Sequence, residues 1–141
     1  LSNLQAADFS DANLSNAHFR RTDLRNASFH KTDLEGADLS GADLSRTELP
    51  GANLSRADLS QANLTETNLT QANLAGTLLR QAVLVQTNLT GANLADADLS
   101  SVHGNSANLT DANLLGSNLL EGALNGAILT GATMPDGTIH E

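Results

Sequence analysis

The chain of 141 residues has no cysteine, no tryptophan and no tyrosine, and it contains only three phenylalanines. Without cysteine, the composition gives no indication of the redox compartment. Hydrophobic residues still make up 40% of the chain, so the core must be built from aliphatic side chains and be thin and uniform. No apolar run approaches the roughly 20 residues that cross a bilayer as a helix.

Basic residues are also scarce. Seven Lys and Arg stand against 16 Asp and Glu, which gives a formal net charge of −9 and a pI near 4.6. Nucleic-acid binding needs Lys and Arg to neutralise phosphates, and anionic membrane surfaces attract the same residues. The composition therefore argues against a general nucleic-acid-binding protein and against a membrane-surface protein.

A five-residue repeat organises the whole chain, which divides into 28 consecutive blocks without an insertion before the final Glu141. The fourth place, called the centre below, is Leu in 22 blocks. The second place is small and is Ala in 17 blocks, and the third place is Asn or Asp in 18 blocks. The other centres are Phe9, Phe19, Phe29, Gly104, Met134 and Ile139.

This period fits neither a helix nor a long strand. A period of five drifts around a helix of 3.6 residues per turn, and it is odd, whereas strand side chains alternate with a period of two. The second and fourth places of one block can nevertheless point the same way across a short extended segment. The pattern therefore predicts short sides joined by turns into closed coils, which stack and pair like parallel strands.

The blocks GADLS, GANLS, QANLT and DANLS resemble the pentapeptide-repeat proteins, and the resemblance covers the whole chain. It implies an all-β fold, a right-handed quadrilateral parallel β-helix or solenoid of about seven coils with four pentapeptides each. At strand spacing this rod is roughly 30–35 Å long. We expect one domain, residues 1–141, with residues 135–141 as a C-terminal closing segment. The final MPDGTIHE is similar to the ends of such proteins from cyanobacteria.

Stacking at 20 residues assigns every block to one of four faces. Faces one to four hold the blocks that begin at residues 1, 6, 11 and 16 and at every twentieth residue after them. On face two, the inward Thr47, Thr67 and Thr87 are expected to donate hydrogen bonds to backbone carbonyls, because a buried hydroxyl needs a partner. Asparagines in the third place are expected to hydrogen-bond along the rod. They are Asn53, Asn73, Asn93 and Asn113 on face three and Asn68, Asn88 and Asn108 on face two.

Both ends of the rod carry distinctive residues. Phe9 and Phe29 stack on face two with Phe19 opposite, and they are expected to plug the first coils. At the other end, the Pro-Asp-Gly run from Pro135 indicates a turn. Ile139 keeps the repeat phase and is expected to close the last core layer.

Two acidic stacks raise the possibility of DNA imitation. Asp23 lies over Asp43 on face one, and Asp38 lies over Asp58 on face four. Some members of the family protect DNA gyrase from quinolones, and the resemblance implies the same role as an alternative function here. B-DNA carries about one charge per 1.7 Å, or about 20 over the length of this rod, and the net charge of −9 is less than half of that.

Outward apolar residues suggest a partner surface instead. Leu78, Val83, Val85 and Leu120 replace polar residues around the corner between faces four and one, with His103 beside them. A cluster of this kind is typical of a protein partner or of self-association as a homodimer, and neutral variation is the other interpretation. Leu115 and Ile128 are further outward apolar residues.

Catalytic and metal sites are not indicated. His18, His30, His103 and His140 fall too far apart on the template to share a zinc ion, and a regular rod offers no deep cleft. We expect no enzyme, no cofactor, no metal, no small-molecule substrate, no direct nucleic acid and no membrane contact. Absence of a signal peptide in the printed chain favours the cytoplasm, whereas one upstream of Leu1 would indicate the periplasm or thylakoid lumen.

One block, SVHGN at residues 101–105, loses its central leucine. Gly104 stands there, and Val102 replaces the usual small residue two places earlier. Val plus Gly carries fewer side-chain carbons than Ala plus Leu, so we expect a dent or void in face one, bordered by Leu84 and Leu124. The sequence thus predicts a non-enzymatic repeat scaffold or protein-interaction module, and a purely structural role is not separable from it.

Overall fold

The computed structural model describes residues 2–141, and the chain winds through them as a right-handed parallel β-helix. No helix occurs in these residues, and each strand is reduced to a single bridged residue in the third place of its block. Parallel bridges join residues 20 apart, from Asn3–Asp23 to Asn113–Thr133. The 20-residue coil and the four faces are thereby confirmed.

Backbone hydrogen bonds join each coil to the next at every block. The centre N–H donates to the third-place carbonyl one coil on, as from Leu24 to Asp43 over 2.9 Å. The first-place N–H donates to the fifth-place carbonyl one coil on, as from Gly41 to Ser60 over 2.8 Å. Backbone polar groups are therefore satisfied between coils, which lets so thin a rod bury them.

The corners explain the third, fifth and first places of the repeat. A turn closes where the second-place N–H donates to the preceding centre carbonyl, as from Ala42 to Leu39 over 3.0 Å. The first-place residue takes a positive φ, such as +65° at Gly41 and +59° at Gln61, as the third residue of a type II turn requires. The Asp38 carboxylate accepts the Ser40 N–H at 3.0 Å and hydroxyl at 2.6 Å, which explains Asp or Asn before Ser or Thr.

The core consists of stacked centre and second-place side chains. Leu residues from Leu24 to Leu114 and the alanines between them are buried, most of them completely. The three phenylalanines fill the first coils as expected. The rings of Phe9 and Phe29 stack with centroids 4.9 Å apart, and Phe19 meets them edge-on at 5.9 and 6.2 Å.

The inward threonines of face two confirm the expected hydrogen bonds. Thr47, Thr67 and Thr87 are completely buried. Their hydroxyls donate to the carbonyls of Leu24, Leu44 and Leu64 at 3.1, 2.7 and 2.6 Å. Each of these bonds reaches back to the preceding coil and adds a side-chain link to the backbone ladder.

The asparagine ladder forms on face three only. Asn113, Asn93 and Asn73 each donate their amide to the asparagine one coil earlier, at 3.2–3.3 Å. On face two the expectation is wrong for Asn88 and Asn108. Of the three asparagines there, only Asn68 donates along the rod, to Glu48 at 2.7 Å. There Asn88 and Asn108 instead accept from the N–H and hydroxyl of the threonine two residues later.

The last block leaves the repeat geometry, so the expectation for Ile139 is wrong. Its side chain is 61% exposed, and its backbone forms an antiparallel bridge with Thr133. Gly137 takes a φ of +86°, and the Thr138 N–H donates to Asp136 at 3.0 Å. This tight turn sends the chain back along face three, so coil seven has three sides and Leu119 on face four stays partly exposed.

Removing one inward hydroxyl tests the side-chain links. Thr67→Val keeps the shape but loses the 2.7 Å bond to the Leu44 carbonyl, which still accepts the Thr47 N–H. The free energy of unfolding should fall by about 1 kcal/mol, the net value of one hydrogen bond. Denaturant unfolding measures this. Thr130→Val, at an exposed position, should stay within about 0.5 kcal/mol, and an equal loss in both variants would contradict the link.

Candidate functional site

The two acidic stacks are paired with arginines or with local donors. The Arg25 guanidinium lies 2.7 Å from the Asp23 carboxylate and 3.9 Å from that of Asp43. The hydrogen bond from Arg25 holds the pKa of Asp23 well below its usual range. In the other stack, the hydrogen bond from the Ser40 hydroxyl lowers the pKa of Asp38. Asp38 and Asp58 line an open groove together with Arg20 and Arg21.

A third acidic residue, Asp98, lies between two residues of the predicted apolar surface. Its carboxylate accepts a hydrogen bond from Arg80 Nε at 2.5 Å. This bond and one from the Ser100 hydroxyl lower the pKa of Asp98 to about 2. Asp98 lies on the same face as Leu78 and Leu120, one coil from each, so its ion pair with Arg80 separates the two leucines.

The Arg80–Asp98 pair predicts an acid-dependent stability. The folded-state pKa near 2 is below the ordinary value of about 3.9, so the contribution is present above pH 4 and is lost as pH falls towards 2. Asp98→Asn should lower the melting temperature at pH 7, and the gap to wild type should close at pH 2. When Arg80→Gln is present in both proteins, the melting-temperature difference that Asp98→Asn causes should already be closed at pH 7. A difference between wild type and Asp98→Asn that is as large at pH 2 as at pH 7 would contradict the pairing.

The structure brings only part of the predicted apolar surface together. Val83 and His103 are bridged neighbours on face one, and His103 bridges in turn to Ala123. Val85 lies at the far edge of the same face and is half-buried, as are Val83 and Leu78. Leu120 is 69% exposed, and its carbonyl accepts the Ser101 N–H at the adjoining corner. Leu78 lies apart on face four.

These neighbours define a surface that we call upper face one, the outward residues of blocks 81–85, 101–105 and 121–125. Its only charged residue is Glu121. The start of the same face, by contrast, carries Arg21, Asp23, Arg25 and Asp43. Upper face one is thus a largely uncharged patch, separated along the same face from these four charged residues, with Leu120 at its rim.

The core beneath upper face one is rearranged, and the expected void at Gly104 is wrong. A Cβ on Gly104 would lie 2.6 Å from Leu124 Cδ2, so the leucine of coil seven occupies the missing volume. The extra bulk of Val102 is taken up in the same way. A Cβ on Gly122 would lie 3.2 Å from Val102 Cγ1 and 3.0 Å from the Leu99 carbonyl. Small residues in one coil thus face large ones in the other as a volume exchange: Gly104 faces Leu124, and Gly122 faces Val102. Gly122 in the second place, where Ala is usual, is the sequence signal that could have predicted this packing.

This exchange predicts coupled substitutions. Gly122→Ala should destabilise the fold by about 1–3 kcal/mol through overpacking against Val102 and backbone carbonyls. Adding Val102→Ala should recover at least about 0.5 kcal/mol relative to the sum of the single changes. A double-mutant cycle by denaturant unfolding measures this coupling. Gly122→Ala combined with the distant Thr67→Val should be additive, and additivity in both pairs would contradict the exchange.

Residues 2–141 contain no group of three or more His, Asp or Glu side chains that could hold a metal ion. The same residues include no helix with the length and apolar character needed to cross a membrane.

Sequence comparison identifies the repeat. A model of pentapeptide repeats matches in eight copies, over residues 2–41, 37–76, 62–103 and 105–136. No curated protein is similar enough to match.

Two solved structures are similar to the chain over most of the described fold. HetL, a pentapeptide repeat protein involved in heterocyst differentiation regulation from the cyanobacterium Nostoc sp. strain PCC 7120, is 32% identical with a TM-score of 0.58. That match covers 98% of this chain and 76% of HetL. A pentapeptide repeat protein of the Arabidopsis thaliana thylakoid lumen is 38% identical with a TM-score of 0.69, covering 70% of this chain and 69% of that one.

The fluoroquinolone resistance protein QnrB1 is a more distant match. It is 23% identical with a TM-score of 0.49, and the match covers 93% of this chain and 73% of that one. At this distance the likeness carries no argument about function.

Proposed function

Because this chain belongs to the pentapeptide repeat family, we propose that it is a non-enzymatic scaffold that binds a protein partner through upper face one. The observation that carries the proposal is where the repeat is broken. The blocks QAVLV, SVHGN and EGALN each lack the usual third-place Asn or Asp, and stacking places them in three successive coils of one face. Glu121 is the only charged residue on that surface, and the core beneath its last two blocks is rearranged.

The chemistry of this surface suits a short protein segment. Val83, Val85 and Ala123 can be covered without desolvating charges, whose burial is costly, and the 69% exposed Leu120 supplies an apolar anchor at the rim. Three coils span only about 10–15 Å along the rod, well short of a standard interface of about 800 Å² per partner. We therefore expect a peptide-like or transient partner rather than a large permanent one.

The similarity to HetL supports a regulatory interaction. HetL is a pentapeptide repeat protein involved in heterocyst differentiation regulation, and it shares the coil over nearly the whole of this chain. Imitation of DNA is the alternative, and the paired carboxylates weigh against it, because Arg25 lies beside both members of one stack.

Three variants test the surface without disturbing the fold. Val83→Asp puts the commonest kind of third-place residue into upper face one, and Leu120→Ser restores a usual fifth-place residue. Ile128→Asp is the matched control, because Ile128 is a third-place residue, 51% exposed, on face two. Crosslinking and affinity capture from host lysate should recover a partner with wild type and the control, and lose it with the other two variants.

Two outcomes would contradict the proposal. Equal capture of the partner by wild type and all three variants would show that upper face one is not the contact surface. Inhibition or protection of DNA gyrase in a supercoiling assay, unchanged by Val83→Asp and Leu120→Ser, would favour the alternative of DNA imitation. Sedimentation of the same proteins detects self-association, since a homodimer through this surface would dissociate in Val83→Asp and Leu120→Ser only.

A further inference from the structure

Upper face one ends in a sequence that is unique in the chain. Asn125 is the only one of the 15 asparagines that is followed by glycine. Both Asn125 and Gly126 are exposed. They form the corner between faces one and two in coil seven, where Gly126 has a φ of +67°.

The peptide nitrogen of Gly126 differs from its equivalents in every earlier coil. At this corner the first-place N–H donates to the fifth-place carbonyl of the next coil, as from Gln86 to Asn105 and from Ser106 to Asn125, both over 3.1 Å. Gly126 lies in coil seven, after which the chain turns back at Gly137 and pairs with Thr133, so no carbonyl of residues 2–141 stacks on it. Within residues 2–141 its N–H has no backbone acceptor.

Asparagines elsewhere in the chain are held differently. Third-place asparagines precede a bulky centre whose N–H is bonded to the next coil, as from Leu94 to Asn113 over 2.7 Å. Their amide oxygens also accept local N–H groups, as Asn93 does from Ala95 at 3.2 Å. Asn105 is exposed in the same fifth place as Asn125, but the N–H that follows it, on Ser106, is hydrogen-bonded.

We propose that Asn125–Gly126 is a self-modifying site at which Asn125 deamidates. The Gly126 nitrogen loses its proton and attacks the Asn125 Cγ, so an N–Cγ bond forms, the Cγ–Nδ2 bond breaks and ammonia leaves with that proton. The resulting five-membered imide is opened by water at either carbonyl, which yields aspartate or isoaspartate. The balance is one water consumed and one ammonia released, and no oxidant, reductant or enzyme is required.

The position of the site makes the change tolerable to the fold and visible on the surface. Isoaspartate lengthens the backbone by one carbon at this corner, and the coil-to-coil backbone bond that it alters is the one from the Ser106 N–H to the Asn125 carbonyl. The product carries a carboxylate where upper face one previously had only Glu121. Deamidation itself does not depend on the proposed partner, although it would double the negative charge on the surface proposed to bind one.

The test follows the mass of the folded protein during incubation at mildly alkaline pH, which favours the deprotonated amide. We expect a gain of about 1 Da, an acidic shift on ion exchange, and isoaspartate confined to the peptide that contains Asn125. Gly126→Ala should lose the gain over the same period. This variant should fold, because its Cβ would lie 3.8 Å from the nearest atom and Ala6 already adopts a φ of 55° in this place.

Ser106→Gly separates the structural cause from the dipeptide itself. It gives Asn105 a following glycine whose N–H still faces the Asn125 carbonyl. In folded protein Asn105 should remain unmodified, whereas in urea Asn105 and Asn125 should deamidate alike. No mass gain at Asn125 in the folded wild type would overturn the proposal. Equal deamidation of both residues in the folded variant would overturn the role of the free N–H.

Discussion

The fold depends on the hydrogen-bond register between residues 20 apart. The centre and first-place N–H groups of each coil donate hydrogen bonds to the next coil, and its third-place N–H groups donate to the coil before. Because these bonds are backbone bonds, the register holds whichever side chains are present, provided that the centre and second place together fill the interior. A single leucine can therefore be lost at Gly104 without a loop, since Leu124 of the next coil fills the volume.

The same register brings irregular blocks that are distant in the sequence together on one surface. Blocks that are 20 residues apart in the chain become neighbours, so QAVLV, SVHGN and EGALN form one patch although they are separated by ordinary repeats. In the earlier coils the outward places carry carboxylates and arginines that pair with one another, as Arg25 does with Asp23 and Arg80 with Asp98. Upper face one differs from the earlier part of its own face in charge, and the packing beneath it is rearranged at Gly104 and Gly122.

Sequence reasoning succeeded where equivalent places in successive coils hold the same type of residue. The short sides joined by turns follow from period and parity. The 20-residue coil, which the family resemblance implied, places the phenylalanine plug, the inward threonines and the ladder on face three, and the structure confirms all of them. It failed where a contact depends on the detailed placement of side chains. On face two, Asn88 and Asn108 accept from the threonine two residues later but do not donate to the asparagine one coil earlier, and the ion pair of Arg80 and Asp98 lies between Leu78 and Leu120.

Alone, the sequence determined short sides and turns that point every centre inward, because an unbroken period of five fits neither a helix nor a long strand. Its resemblance to the family implied the four-sided coil. The tertiary structure decided the ends and the exceptions. Ile139 keeps the period but reverses against Thr133, since the turn around Gly137 closes the chain back on face three. The volume exchange among Val102, Gly104, Gly122 and Leu124 is likewise a contact between coils, and only the stacked molecule shows which side chain moves into which space.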